Sequence, residues 1–202
     1  MIYTPHGAVE FFAEIKTFSP DGWRSPYTWR QLLRIVLHHE RIIDAISIHV
    51  SPRWEGSLHL IERARRHTEK PILAKGINPR EDDIRRARDA GATMALVVGR
   101  VPKVYAEFCI IEPLSLESMR GIPDHLRVAW NSRDLIEMFR KINGLPPRNV
   151  DRPTFSEARE IRPRGWMLQA SGIEHMASVE KGADAILVGT HLPKFITSLK
   201  AP

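Results

Sequence analysis

Two lysines, two carboxylates and an amide stand at or beside the C-terminal ends of short apolar runs, and together they make an acid/base set. Glu14 and Lys16 are two apart in FFAEIK, so the period of a strand turns both to one side. Lys75 closes PILAK, Glu112 closes FCIIE and Asn131 closes RVAWN. Lysines and carboxylates are the groups that give and take protons at a reacting centre. One ionisable residue at a strand end is ordinarily solvated or paired structurally. Five brought to one face must pair with each other or with a substrate, because unpaired buried charge is costly.

A second set is made of glycines. ASGI (Ala170 to Ile173) and VGTHL (Val188 to Leu192) each end an apolar run. Gly172 and Gly189 permit close backbone approach, Ser171 and Thr190 add hydroxyls, and free N–H groups after them would face a phosphate. Either glycine alone needs no more than a tight turn to explain it. As a pair after neighbouring strands, they make the seat where barrels hold phosphate.

The elements that must position these residues are legible as eight apolar runs: Phe11 to Lys16, Ala45 to Val50, Pro71 to Lys75, Met94 to Gly99, Phe108 to Glu112, Arg127 to Asn131, Gly165 to Ala170 and Ala185 to Thr190. Helical spacing fills the gaps at Tyr27 to His38, Leu58 to His67, Glu81 to Ala90, Leu135 to Ile142 and Ile173 to Lys181, with a terminal Lys194 to Leu199. Alternating strand and helix predicts a parallel sheet covered by helices, and eight is the number of a (β/α)8 barrel. DDIRRARDAGATMALVVG and EHMASVEKGADAILVGT both read as helix, glycine, strand. The fourth connection, between Val98 and Phe108, is too short for a full crossover helix, so a loop or one turn is expected. The segment Leu145 to Gly165, rich in proline and arginine, is expected to be the mobile region, with a short helix at Phe155 to Arg159.

The 202 residues suffice for one substantial core, so residues 1–202 are read as a single compact α/β barrel domain. The net charge of +6 suits a small anionic substrate. Nucleic acid is disfavoured because RARR (Arg63 to Arg66) and RRAR (Arg85 to Arg88) read as solvated helix faces, accompanied by Glu62, Glu81, Asp82, Asp83 and Asp89. No apolar run approaches the roughly 20 residues that cross a bilayer, and no secretory signal is visible, so a cytoplasmic location is expected. Cys109, the one cysteine, fits a core position. No GxGxxG or GxxxxGK motif supports a nucleotide cofactor, and the histidines lack metal-ligand spacing, so neither cofactor nor metal is expected. His49, beside the second run's end, reads as a packing or hydrogen-bonding residue.

On AEIKTFSPDG (Ala13 to Gly22), WEGS (Trp54 to Ser57), PILAK, IIEPL (Ile110 to Leu114), NSRDL (Asn131 to Leu135), SGI and GADAILVGTHL (Gly182 to Leu192), the chain resembles the indole-3-glycerol-phosphate synthases of tryptophan biosynthesis. The order is kept nearly end to end; the first strand and NSRDL are the specific elements. The resemblance implies a cofactor-independent carboxy-lyase that closes the indole ring of 1-(2-carboxyphenylamino)-1-deoxyribulose 5-phosphate with loss of carbon dioxide and water. It implies Lys75 as general acid on the carbonyl oxygen, Lys16 as holder of the substrate carboxylate, and Glu112 as the group for later proton transfer. Glu14 and Asn131 would orient and balance charge, with Arg133 in support. Ser19, Gly172, Gly189 and Thr190 would hold the phosphate, with Ser171 nearby, and Trp54, Ile77 and Trp130 are candidates for the aryl wall. Another tryptophan-pathway enzyme is a conceivable partner, which nothing in the sequence identifies.

The chain departs from the family pattern at three places. The family's helical segment ahead of the first strand has no counterpart in the ten residues before Phe11. Ala170 stands where the family has glutamate, and Gly76-Ile77 where it has an acidic residue and an aromatic. A related barrel acting on another amino-sugar phosphate, or a catalytically silent phosphate-binding or partner protein, therefore stays open beside the synthase.

Overall fold

A computed structural model describes residues 1–19, 22–134, 136–137, 140, 143–146 and 152–199. Strand β1 (Ile2–Thr4) turns back antiparallel on β2 (Gly7–Ile15). All later pairings between strands of the described residues are parallel. Strands β3 (Ala45–His49), β4 (Ile72–Lys75), β5 (Met94–Val98), β6 (Cys109–Glu112), β7 (Arg127–Trp130), β8 (Met167–Gln169) and β9 (Ala185–Val188) follow in chain order. β9 then pairs with β2 over Glu10↔Ala185 to Ala13↔Val188, closing an α/β, (β/α)8 barrel. Its first strand is β2 and its eighth β9, and all eight C-terminal ends meet at one rim. The helices described are α1 (Trp29–His38), α2 (Leu58–Arg65), α3 (Glu81–Asp89), α4 (Leu116–Arg120), α5 (Phe155–Ile161) and α6 (Leu192–Ser198).

Strand alternation sorts the side chains into two cores. Phe12, Leu73, Leu96, Ile110, Leu168 and Leu187 fill the barrel, while Phe11, Ile46, Ile72, Val97 and Val128 pack outward against the helices. Burial of both faces is why these strands read as continuous apolar runs. Helix α3 shows how a cover helix is specified. Glu81, Asp82 and Asp83 occupy its first turn and Arg86 and Arg88 its last, the charge order that complements the helix dipole. Ile84 and Ala87 are its buried stripe. Gly91, at φ +98°, then ends the helix in a left-handed turn that costs a glycine little.

The structure corrects the sequence reading at several points. The helix expected over Ile173 to Lys181 is absent, and only Met176–Ser178 makes a 3-10 turn. The buried Gln169 explains this: its Nε2 donates to Ser178 O at 3.0 Å and its Oε1 accepts from Glu180 N at 2.9 Å. Backbone groups that a helix would pair are satisfied by that side chain instead. Asn131, Ala170 and Thr190 stand just beyond their strands rather than inside them. β1 and α4 add to the expected elements; Thr4 Oγ1 donates to Gly7 O at 2.9 Å across the β1–β2 turn, and Ser115 Oγ accepts from Ser118 N at 3.1 Å to cap α4. The fourth connection is short as expected, with one 3-10 turn at Ala106–Phe108. The helix expected over 135–142 lies mostly outside the described residues.

Several arginines serve as carbonyl braces rather than solvated charge. Arg65 donates to Gly91 O, Thr68 O and Lys70 O, and buried Arg162 donates to Ile122 O, Pro123 O, Asp124 O and Leu126 O. The second half of the segment expected to be mobile is tied to the barrel by these bonds of Arg162 and by Arg159, which pairs with Asp184 at 2.8 Å. Cys109 is buried, and burial pushes its thiol up to about 12. Among the described residues no helix is long and apolar enough to cross a membrane.

Candidate functional site

A cavity of about 250 Å³ opens at the C-terminal rim, lined among others by Glu14, Lys16, Lys75, Asn131, Arg133, Ser171, Gly172, Gly189 and Thr190. Its floor is Glu14, 2% exposed at the end of β2. The ammonium of Lys75 lies 2.8 Å from Glu14 Oε1. Burial alone would raise this carboxyl, but the charges of Lys75 and Lys16, with His49, outweigh it and hold Glu14 at about 2. Gly189 makes room for it. A Cβ there would sit 2.2 Å from Glu14 Oε2, so only glycine lets the carboxylate lie against the loop after β9.

The second carboxyl is in the opposite state. Glu112, 2% exposed at the end of β6, is raised by burial, against the opposing effects of Lys75 and of the hydrogen bond from Asn131. That bond runs from Asn131 Nδ2 to Glu112 Oε1 at 3.0 Å. Two carboxyl groups whose environments drive them apart can divide the work of ion-pair partner and proton carrier.

Lys16 Nζ reaches Thr190 Oγ1 at 3.5 Å, joining the lysine pair to the loop after β9. Across the cavity, Ser171 Oγ accepts from Ser132 N at 2.8 Å and Arg133 N donates to Asn131 Oδ1 at 3.1 Å. Gly172 has φ +76° with no atom within 4 Å of its Cβ position, so its backbone faces open space. Arg152 braces this rim from outside: it donates to Asn131 O and Pro113 O, each at 3.0 Å, and to Leu114 O, with its guanidinium 4.0 Å from the Trp130 ring centre.

The structure thus brings nine of the residues singled out in the sequence to one cavity, with Glu112 joined through Asn131. Three stand apart. Ser19 is fully buried outside the lining, its hydroxyl without a hydrogen-bond partner among the described residues. Trp54 packs on Phe18, ring centres 6.2 Å apart. Trp130 faces outward and donates to Pro153 O at 2.9 Å. Ile77 lies in a neighbouring groove of about 500 Å³ with Val50, Leu58 and Gly76. A Cβ on Gly76 would come within 2.8 Å of Val50 Cγ2, which accounts for glycine between the groove and Lys75.

Sequence reasoning undervalued His49. Its parity with Ser47 points it inward, and its Nε2 lies 3.7 Å from Glu14 Oε1. Burial lowers it to about 4, Glu14 opposing and the lysines assisting, so it is neutral at pH 7. Arg152 carried no signal, because its role depends on three carbonyls that only the fold assembles. Among the described residues no group of three or more His, Cys, Asp and Glu is arranged to hold a metal ion.

Fold and site together define a (β/α)8 barrel with a lysine–carboxylate cavity at its C-terminal mouth. The chain is similar to the indole-3-glycerol phosphate synthase of Campylobacter fetus subsp. fetus (strain 82-40). The two are 27% identical over 197 residues, spanning 91% of this chain and 75% of that protein. No protein-family model matches the chain.

Proposed function

We propose that this barrel is an enzyme that binds a phosphorylated substrate and catalyses the indole-3-glycerol-phosphate synthase reaction. The observation that carries the reading is the Lys75–Glu14 pair, with Lys16 and Asn131, in one cavity edged by Ser171-Gly172 and Gly189-Thr190, and Glu112 held behind Asn131 by its hydrogen bond. The similarity to the Campylobacter synthase supplies the substrate.

In this reading the phosphate lies on the backbone of Gly172 and Gly189, with the Ser171 and Thr190 hydroxyls. The aryl ring lies in the adjoining groove against Ile77 and Val50. The ring carbon bearing the carboxylate attacks the sugar carbonyl carbon, and Lys75 delivers a proton to the carbonyl oxygen as the new bond forms. Carbon dioxide then leaves, its bonding electron pair returning to the ring. Lys16 holds the carboxylate until that bond breaks. Glu112 moves the protons of the last step, in which the hydroxyl departs as water and a hydrogen is lost from the adjacent carbon. Ionised Glu14 fixes the Lys75 ammonium toward the reacting oxygen, and such fixed charge is a large part of what an enclosed site contributes.

The test is to supply 1-(2-carboxyphenylamino)-1-deoxyribulose 5-phosphate to the purified protein and follow carbon dioxide and the indole ring of indole-3-glycerol phosphate together. Equimolar formation of the two supports the reading, and saturable phosphate-dependent binding without either product overturns it. Ala170, which lines the cavity where the resemblance expects a carboxylate, favours a second reading: an amino-sugar phosphate that needs no such group. Turnover of an aminodeoxyribulose phosphate lacking the carboxyphenyl ring would select it.

A further inference from the structure

The other end of the barrel holds a larger opening. A cavity of about 600 Å³ enters between the N-terminal ends of the strands, against about 250 Å³ at the catalytic mouth. Its walls are apolar and aromatic: Phe12 and Met94 belong to the inner core, and Trp166 lies on Phe12 with ring centres 6.0 Å apart. Small Ala45 at this level leaves the space unfilled.

Two opposite charges project into this funnel. Glu10 shares the inward parity of Phe12 on β2, and Arg127 that of Ala129 on β7. Both are partly buried, yet no ion pair joins them, and the Glu10 carboxylate has no hydrogen bond or ion pair among the described residues. The Arg127 guanidinium makes one hydrogen bond, to Glu107 O at 3.1 Å, at the rim. Asp44, the other carboxylate in the lining, is already engaged by the N-terminal ammonium at 2.8 Å and by Phe11 N at 2.9 Å. Burial opposes both charges, raising the Glu10 carboxyl and lowering the Arg127 guanidinium, and their attraction across the funnel is closed by no direct contact, so a molecule that bridges them relieves that cost. A molecule that carries both signs a few ångströms apart, with a flat apolar group to lie on Trp166 and Phe12, satisfies every group that the funnel leaves open.

We infer that the N-terminal funnel is a second binding site, for a zwitterionic aromatic α-amino acid: its carboxylate on Arg127, its ammonium on Glu10 and its ring against Trp166 and Phe12. The site shares no residue with the mouth, so it stands whether or not the proposed reaction is correct. Pockets of a few hundred Å³ with apolar walls and a few placed polar groups are the usual form of small-molecule sites.

The experiment is calorimetric titration of the full chain with L-phenylalanine in the absence of any phosphorylated substrate. Saturable one-to-one binding is expected. It should fall about tenfold or more for phenethylamine, which lacks the carboxylate, and for 3-phenylpropionate, which lacks the ammonium, each losing one charge-assisted contact. Glu10→Gln and Arg127→Met should lower affinity by a similar factor, with each variant's melting curve checked for a folded chain. The wild-type analogue series needs no variant to fold. Absence of saturable binding, equal affinity for all three ligands, or displacement of phenylalanine by inorganic phosphate at the mouth would overturn the proposal.

Discussion

Replacing Glu14 by Gln should change the acid dependence of stability in a way that replacing Glu112 does not. In the folded chain Glu14 lies at about 2 against an ordinary 4.5. At about 1.4 kcal/mol per pH unit, that gap is worth about 3 kcal/mol. The folded value is the lower one, so this contribution is fully present above pH 4.5 and is lost as pH falls toward 2. Glu14→Gln removes it, and also leaves Lys75 and Lys16 without their buried counter-charge. The variant should therefore be about 3 kcal/mol less stable than wild type at neutral pH, and the difference should close as the pH is lowered from 4.5. Glu112 has the opposite sign. Its folded value is raised by burial, so its contribution is present below pH 4.5 and is lost as pH rises through the folded value. Glu112→Gln keeps an amide for Asn131 to meet and removes a charge that burial disfavours, so it should match or exceed wild-type stability at neutral pH. Urea denaturation of the three proteins at several pH values between 3 and 7 measures both differences. Parallel profiles for wild type and Glu14→Gln would refute the claim that the buried lysines hold Glu14 ionised.

Three further substitutions probe the parts around that pair. Gly189→Ala places a Cβ 2.2 Å from Glu14 Oε2; it should cost about 1–3 kcal/mol by overpacking and reduce turnover more than it reduces substrate binding, read from the denaturation midpoint and steady-state kinetics. Gly172→Ala meets no atom within 4 Å but must hold φ +76°, so a loss of about 1–2 kcal/mol from the backbone and weaker binding of inorganic phosphate by titration are expected. His49, depressed to about 4 from 6.5 with Glu14, Lys75 and Lys16 facing it, contributes stability that is lost as pH falls through that window. His49→Leu should flatten the stability profile between pH 6.5 and 4, which denaturation midpoints will show.

The barrel was legible because its strands are buried on both faces, which prints apolar runs, and because Gly91 ends α3 ahead of β5; Gly182, at φ +86°, turns the chain ahead of β9 with no α-helix leading into it. The lysines and carboxylates were legible because strand parity and a shared rim follow from those runs. What escaped depends on contacts remote in sequence. Gln169 takes the backbone partners that the Ile173 to Lys181 helix would have used. Arg152 acts through the carbonyls of Pro113, Leu114 and Asn131. Trp130 is a candidate for an aryl wall by its type, yet one residue of register separates it from inward-facing Asn131 and turns it toward the helices.

The central claim is tested most directly by ring closure in wild type beside Lys75→Ala, followed as indole fluorescence after adding the carboxyphenylamino-deoxyribulose phosphate. The account predicts turnover by wild type and a loss of at least about a hundredfold in the variant, the scale of a general acid, with phosphate binding kept. Equal rates in the two proteins, or substrate bound by wild type with no indole formed, would contradict it.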